Sequence, residues 1–262
     1  MRIALGLEYD GAAFCGWQTQ PVGCGVQDHL QHALSRFADA PIEVVAAGRT
    51  DTGVHATAQV VHFDTDARRE EASWIRGTNS SLHEGARVLW AREVGAGFHA
   101  RYGARSRTYR YLLLDAPVAP AILRGRVGWH HRALDVALMA EGLAALVGEH
   151  DFSSFRDAQC QAKSPVRHLM AAQVERHRGL VVFTFRANAF LHHMIRNIVG
   201  ALVYVGMGKQ PHAWIAQLLA ARDRRLAAPT FAPDGLYLAA IEYDAAFRLP
   251  PFRALPLVAP RP

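Results

Sequence analysis

Along residues 2–9 the apolar side chains Ile3, Leu5, Leu7 and Tyr9 alternate with other residues, the two-residue period of a half-buried strand. Asp10-Gly11 breaks the pattern. From Val26 the spacing changes to Leu30, Ala33, Leu34 and Phe37, an apolar stripe at helical period. The chain then predicts a short strand over 42–47, a polar turn over 48–53 and a return strand over 59–63. A helix is predicted over 70–79, strands over 88–94 and 108–114, and a helix over 135–147. Residues 169–177 and 180–186 read as a hairpin across Arg178-Gly179. Helices over 189–205 and 212–221 follow, then a strand over 236–243. The Pro-rich stretch 248–262 is expected to be a loose tail.

Two stretches, 1–104 and 105–247, thus each show strands interleaved with helices, two in the first and three in the second, without a close sequence repeat. Strands joined by short turns point to an α+β protein with a largely antiparallel sheet rather than a doubly wound one. Composition agrees with a folded chain. Of 262 residues half are apolar and 20% charged, which excludes a disordered protein. The apolar stretch near 198–208 is far short of the ~20 residues a membrane span needs. Glu8 interrupts the first apolar stretch, so no signal peptide is expected and the cytoplasm is the default location. The 3 Cys, at 15, 24 and 160, are odd in number and lack a CxxC spacing. That argues against a disulfide scaffold or a Cys-rich zinc module, and all three are expected as small core residues.

The net charge is +6, and only Lys163 and Lys209 among the 29 basic residues are not Arg. Such a balance suits a phosphate-bearing partner, though codon bias alone can produce it, so clustering has to decide. Residues 101–132 hold Arg101, Arg105, Arg107, Arg110, Arg124, Arg126 and Arg132 against the single acid Asp115. In the strand over 108–114, Tyr109 and Tyr111 share a face. Aromatics beside Arg can carry an unstacked base, although a core Tyr with a bonded hydroxyl is the commoner outcome. A second group, Arg222, Arg224 and Arg225, reads equally as a phosphate contact or a charged helix end.

The turn Gly48-Arg49-Thr50-Asp51-Thr52-Gly53-Val54-His55 carries the clearest chemistry. Its glycines permit a tight turn, and Arg49 stands two residues from Asp51. A neighbouring Arg keeps a carboxylate ionised, and a held carboxylate can act as nucleophile or base. The plain alternative is an Asx turn with a surface ion pair. Asp51-Thr52-Gly53 also spells an aspartic-protease motif, but a dyad must share a proton, which an adjacent Arg opposes. The predicted helix over 189–205 carries His192, His193, Arg196 and Asn197 within about 140° of one face. A buried Arg196 would want a carboxylate, for which Asp51 is a candidate. The paired His are not expected to hold metal, since adjacent helix residues diverge and no nearby Cys or acid completes a set. No Walker loop, GxGxxG, GxSxG or HExxH is present.

Taken in order, these segments resemble the tRNA pseudouridine synthase A family. The resemblance rests on Tyr9-Asp10-Gly11, Phe14, Gly16-Trp17-Gln18 and Gln20, on residues 48–56 with Gln59-Val60, and on Phe98-His99-Ala100-Arg101. It continues through Tyr109-Arg110-Tyr111, Asp151-Phe152-Ser153-Ser154-Phe155, His192-His193-Met194 with Arg196-Asn197 and Gly200, and Gly235-Leu236-Tyr237-Leu238. Thr52 departs from the family's more usual Ala and leaves the carboxylate in place. The resemblance implies isomerisation of uridine to pseudouridine at positions 38–40 of the tRNA anticodon arm. It implies Asp51 as the catalytic carboxylate, Tyr109 against the target base, and Arg49 and Arg196 around the site. It further implies two similar RRM- or ferredoxin-like halves sharing a central sheet flanked by helices, a homodimer, and neither metal nor cofactor. Two other classes compete: a non-catalytic RRM-like RNA-binding module, which would not need Asp51, and a small-molecule nucleosidase, which would not need the Arg window.

Overall fold

The computed structural model describes residues 1–252 of the chain. In chain order its strands and helices are β1 (Arg2–Tyr9), α1 (Val26–Ala38), β2 (Val45–Ala46), β3 (His55–Asp64), α2 (Glu71–Asn79) and β4 (Ala86–Val94). These are followed by β5 (Ser106–Asp115), β6 (Gly128–His130), α3 (Val136–Ala144), β7 (Gly148–Asp151), β8 (Val166–His177) and β9 (Leu180–Ala187). The last are α4 (Met194–Gly206), α5 (Trp214–Ala221) and β10 (Leu236–Glu242). Two compact units result, one of residues 1–107 with the chain end from Tyr237, the other Thr108–Leu236. The last strand, which chain order assigns to the second half, thus belongs mostly to the first unit.

In the first unit the strand order is β4-β1-β3-β10, with β2 also on β3. β1 lies antiparallel to both β3 and β4, while β10 pairs parallel with β3. The succession β1-α1-β2-β3-α2-β4, with β1 between β4 and β3, is a split β-α-β arrangement. In the second unit the order is β5-β9-β8-β7, with β6 parallel to β5. The succession β5-α3-β8-β9-α4 again places the third-formed strand beside the first. Each half is α+β, its sheet largely antiparallel and flanked by helices, as expected.

The amphipathic stripes explain the elements. Val26, Leu30, Ala33 and Leu34 of α1 are buried, and the Gly25 N–H donates to Asp28 Oδ2 at 2.9 Å at its start. Asp135 caps α3 by accepting from Ala137 and Leu138 N–H groups. Trp17, Trp74 and Phe63 fill the first core, and Phe152, Phe155, Phe183 and Phe185 the second. Among the described residues no helix is long and apolar enough to cross a membrane.

Four expectations need correction. The helix predicted from 189 begins only at Met194, because His193 takes φ +60°, a left-handed conformation that interrupts a helix. The strand over 42–47 shrinks to two residues, while the one over 59–63 reaches back to His55. None of the three cysteines lies in the core: Cys15 and Cys24 form a disulfide, and Cys160 is half-buried. The bridge closes the 16–23 loop, beside a Cys15 N–H to Cys24 carbonyl bond of 3.0 Å. Finally, the beginning of the expected tail is packed. Leu249 and Phe252 lie against the core cluster around Trp90 and Phe98. The Trp90 and Phe252 rings are 5.5 Å apart. Residues 253–262 of that tail lie outside the described residues.

Candidate active site

The turn between β2 and β3 is shaped by backbone that other segments press against. Its core is a reverse turn in which the Val54 N–H donates to the Asp51 carbonyl at 3.1 Å, with Gly53 at φ +81°. Only glycine takes that conformation without strain. The Tyr9-Asp10-Gly11 end of β1 and the Gly16-Trp17 loop lie directly against this turn. A Cβ on Gly11 would stand 2.2 Å from the Val54 carbonyl oxygen. Gly16, at φ +92°, faces the backbone of Thr50, Asp51 and Thr52. The Trp17 N–H donates to the Thr50 carbonyl at 2.9 Å. These contacts give a physical reason for the glycines of the opening motif.

Asp51 is half-buried on this turn, Thr50 is buried, and Arg49 is exposed. The expected Arg49–Asp51 ion pair does not form among the described residues. The reason is local: two-residue spacing puts side chains on one side only in extended chain, and here the chain turns. Behind the turn, Gln59 Nε2 donates to the Gly48 carbonyl at 2.7 Å and to Tyr9 Oη at 3.3 Å. Tyr9 Oη lies 2.8 Å from Thr50 Oγ1. Beyond the turn, His55 is buried, accepts the Gly11 N–H at Nδ1, and stacks on Tyr237 at 4.6 Å. Tyr237 pairs with His55 where β10 runs parallel to β3, which gives the closing motif a structural role.

Of the Arg window, Arg107 is buried and donates to the carbonyls of Ala47, Arg101 and Ala104, clamping the residue before Gly48. Arg105 is ion-paired with Asp244. Arg101, Arg124, Arg126 and Arg132 are exposed. In the Phe98-His99-Ala100-Arg101 segment, Phe98 and Ala100 are core residues, and the Ala100 N–H donates to His62 Nδ1 at 3.1 Å. Burial first, and then the nearby Arg2 charge, pull the His62 imidazole down to about 4 from an ordinary 6.5. The unfolded chain therefore takes up a proton at His62 between pH 6.5 and 4 that the folded chain refuses, so stability falls as pH drops through that window. Between pH 7 and pH 5 the loss from this residue is expected to be about 1–2 kcal/mol. Urea denaturation at both pH values checks it: His62→Asn, which keeps an acceptor but does not titrate, should lose that part of the pH dependence.

In the second unit Tyr109 is 8% exposed in β5, its ring edge-on to Phe190 at 5.1 Å. Tyr111, on the same face, is fully buried and donates to the Ala232 carbonyl at 2.8 Å. Arg196 is half-buried in the first turn of α4, and its Nε donates to the Phe231 carbonyl at 2.9 Å. Asn197 is structural: it donates to the Phe155 carbonyl and accepts from Arg224 and Thr230. Gly200 is forced, because a Cβ there would stand 2.3 Å from the Pro229 carbonyl. His192 and His193 precede the helix rather than share its face, with rings stacked at 4.0 Å. An acid does stand beside them, contrary to the reading from spacing: His193 Nδ1 is 2.7 Å and His192 Nδ1 3.5 Å from Asp157 oxygens. Asp157 lies too far along the chain for periodicity to reveal it. In the Asp151–Phe155 motif, Asp151 accepts from Ser153 and the two Phe are core.

The sequence reading missed Tyr9, Gln59 and Thr50 as a connected group, and Arg107 as a clamp. A strand-end Tyr and a Gln on an otherwise apolar strand were the available signals.

Both units find counterparts among known proteins. A family model described as tRNA pseudouridine synthase matches residues 7–103 and 143–244. A protein of Methylobacillus flagellatus named tRNA pseudouridine synthase A is 56% identical over 250 residues, 95% of this chain and 96% of that one. One of the same name from Burkholderia cenocepacia is 57% identical over 251 residues, 96% of this chain and 93% of that one. Another from Thiobacillus denitrificans is 56% identical over 250 residues, covering 95% and 96%. Identity at this level over almost the whole chain, with a family model that matches most of it, places the chain: it belongs to the tRNA pseudouridine synthase family.

Proposed function

We propose that this chain isomerises uridine to pseudouridine in the anticodon arm of tRNA, at positions 38–40, with Asp51 as its catalytic carboxylate. The observation that carries this reading is a carboxylate on a tightly braced turn, in a chain 56% identical along almost its whole length to a tRNA pseudouridine synthase A. The reaction breaks the N1–C1′ bond, turns the base, and joins C5 to C1′. It is a net isomerisation, so it calls for no redox agent or activated donor. The broken bond is glycosidic, and a carboxylate can trap or steady the cation-like sugar, as in glycoside hydrolysis. Water would convert the reaction to nucleoside cleavage, so the site has to exclude it.

The uridine has to leave its stack to be reached. In this reading Tyr109 packs against the flipped base and Arg49 holds the displaced backbone. Arg196 steadies the Asp51 carboxylate in the assembled site. The C5 proton passes finally to Tyr109 or Asp51. The working form is a cytoplasmic homodimer. The decisive test is to incubate the protein with unmodified tRNA and map pseudouridine by position. Product at 38–40 supports the reading, and tRNA binding without product would favour a non-catalytic RNA-binding module.

If the exposed Arg residues of the 101–132 window line the RNA path, log K for tRNA should fall steeply with log salt. Arg124→Gln should reduce that slope by about one, since each phosphate contact releases roughly one counterion. Arg105 suits the test less well, because Asp244 already neutralises it. Binding measured between low and physiological salt checks this. A flat dependence would reduce the Arg excess to codon usage.

A further inference from the structure

Tyr9, Gln59 and Thr50 are 4%, 0% and 7% exposed, three polar side chains buried together behind the turn. Burying such groups is unfavourable unless each is bonded, and an apolar trio of the same size would serve folding as well. Their bonds run to one another, to the Gly48 carbonyl of the turn and, at Gln59 Oε1, to the Val60 N–H. The two N–H groups of the Gln59 amide are aimed at the Gly48 carbonyl and at Tyr9 Oη. Tyr9 Oη, which accepts there, also lies 2.8 Å from Thr50 Oγ1, a bond across which either hydroxyl can donate. The strands that carry Tyr9 and Gln59 are already joined by the β1–β3 ladder. What the three side chains add is a hold on the turn, at Gly48 and at Thr50.

Thr50 is thereby gripped twice, through its hydroxyl by Tyr9 and through its carbonyl by the Trp17 N–H. On the far side the Val54 N–H holds the Asp51 carbonyl. The backbone on both sides of Asp51 is fixed, which leaves the carboxylate mainly its own side-chain torsions. We propose that Tyr9 and Gln59, acting through Thr50 and Gly48, are positioning residues that aim the Asp51 carboxylate at the reacting sugar or base. This rests on the reading of Asp51 as the catalytic carboxylate. Neither residue touches substrate. Their effect is to keep the reacting atoms in attack geometry, where a displacement of about 1 Å can cost a hundredfold in rate.

The test is a mutant cycle on the hydroxyl pair, read by single-turnover rate, KM for tRNA and thermal midpoint. Tyr9→Phe and Thr50→Val both remove the Tyr9–Thr50 hydrogen bond with little change of shape, Tyr9→Phe losing the 3.3 Å Gln59 bond as well, and each should slow the single-turnover step about 10–100-fold. KM should stay within about threefold, since tRNA affinity comes mainly from phosphate contacts. The double variant should be no slower than the slower single, because one bond cannot be lost twice. Thr50→Ser, which restores the hydroxyl, should return the rate to within a few-fold of the parent. A parental rate in Tyr9→Phe, or rate losses that multiply in the double variant, would overturn the proposal. So would a loss that appears in KM rather than in the rate. If Tyr9→Phe fails to fold, Thr50→Val against Thr50→Ser carries the same comparison on the turn itself. Asp51→Ala is measured alongside. Turnover by that variant defeats the reading of Asp51, whereas an inert Asp51→Ala beside a fully active Tyr9→Phe defeats only the positioning role.

Discussion

Asp51→Ala and Asp51→Asn are each expected to lose at least about a thousandfold in pseudouridine formation, more than the 10²–10³ that one stabilising donor is worth. The Kd for tRNA should stay within about threefold. The two expectations have separate physical sources. In the proposed reaction the rate depends on a carboxylate that traps or steadies charge at C1′, which neither a methyl nor an amide can do. Affinity depends on neutralised phosphates, so deleting an acid cannot weaken it greatly and can slightly strengthen it. Asn is the sharper variant, because it preserves shape and leaves the braces at Thr50 and Val54 untouched. Pseudouridine mapping and filter binding on the same preparations check both parts. Measurable turnover by Asp51→Ala would remove this residue from the mechanism.

Arg196→Ala is expected to cost activity and stability together. Arg196 Nε donates to the Phe231 carbonyl, and the Phe231 N–H donates back to the Arg196 carbonyl at 3.2 Å. The side chain thus ties the start of α4 to the segment that precedes β10. Losing a charged donor to a partly buried carbonyl should cost about 1–3 kcal/mol in urea denaturation. Because Arg196 is only half-buried, this is less than the roughly 3–5 kcal/mol of a fully buried broken ion pair. The single-turnover rate should fall by about 10²–10³ if the guanidinium also steadies the catalytic carboxylate. Arg196→Lys should recover part of the stability yet remain slow, because an ammonium cannot reproduce the planar fork. The Arg196→Ala/Asp51→Ala double variant tests the pairing. If Arg196 serves that carboxylate, removing both should cost less stability than the sum of the two losses. Strict additivity would leave Arg196 as a brace for the 231 segment or a phosphate contact.

Much of the chain is legible because side-chain period is a local property. Ile3, Leu5, Leu7 and Tyr9 alternate because successive strand side chains point to opposite faces, although Ala4 and Gly6 between them are buried too, so β1 is not the half-buried strand expected; the Val26–Phe37 stripe follows the helical repeat of α1. The Asp51 turn is legible for a similar reason: Gly53 permits its φ of +81°, and polar residues flanked by apolar strands mark where the chain reverses. The order of motifs along the chain was enough to name the family resemblance.

What the pattern did not disclose depends on partners distant in sequence. Apolar spacing runs on through Leu191, which is indeed buried, so nothing local shows that His193 breaks the helix. Arg107 resembles its six neighbours in the basic window until the fold brings the carbonyls of Ala47 and Arg101 to it. An odd cysteine count hid the Cys15–Cys24 bridge, which depends on the 16–23 loop doubling back. Tyr9 and Gln59, fifty residues apart, meet because the β1–β3 register sets Tyr9 opposite Ala56 and leaves Gln59 beneath the turn. The sequence by itself determined the strand and helix periods and the turn that carries Asp51, since these follow from each residue's near neighbours. Only the tertiary structure decided which buried polar groups brace that turn, because a hydrogen-bond partner is chosen by where the folded chain returns.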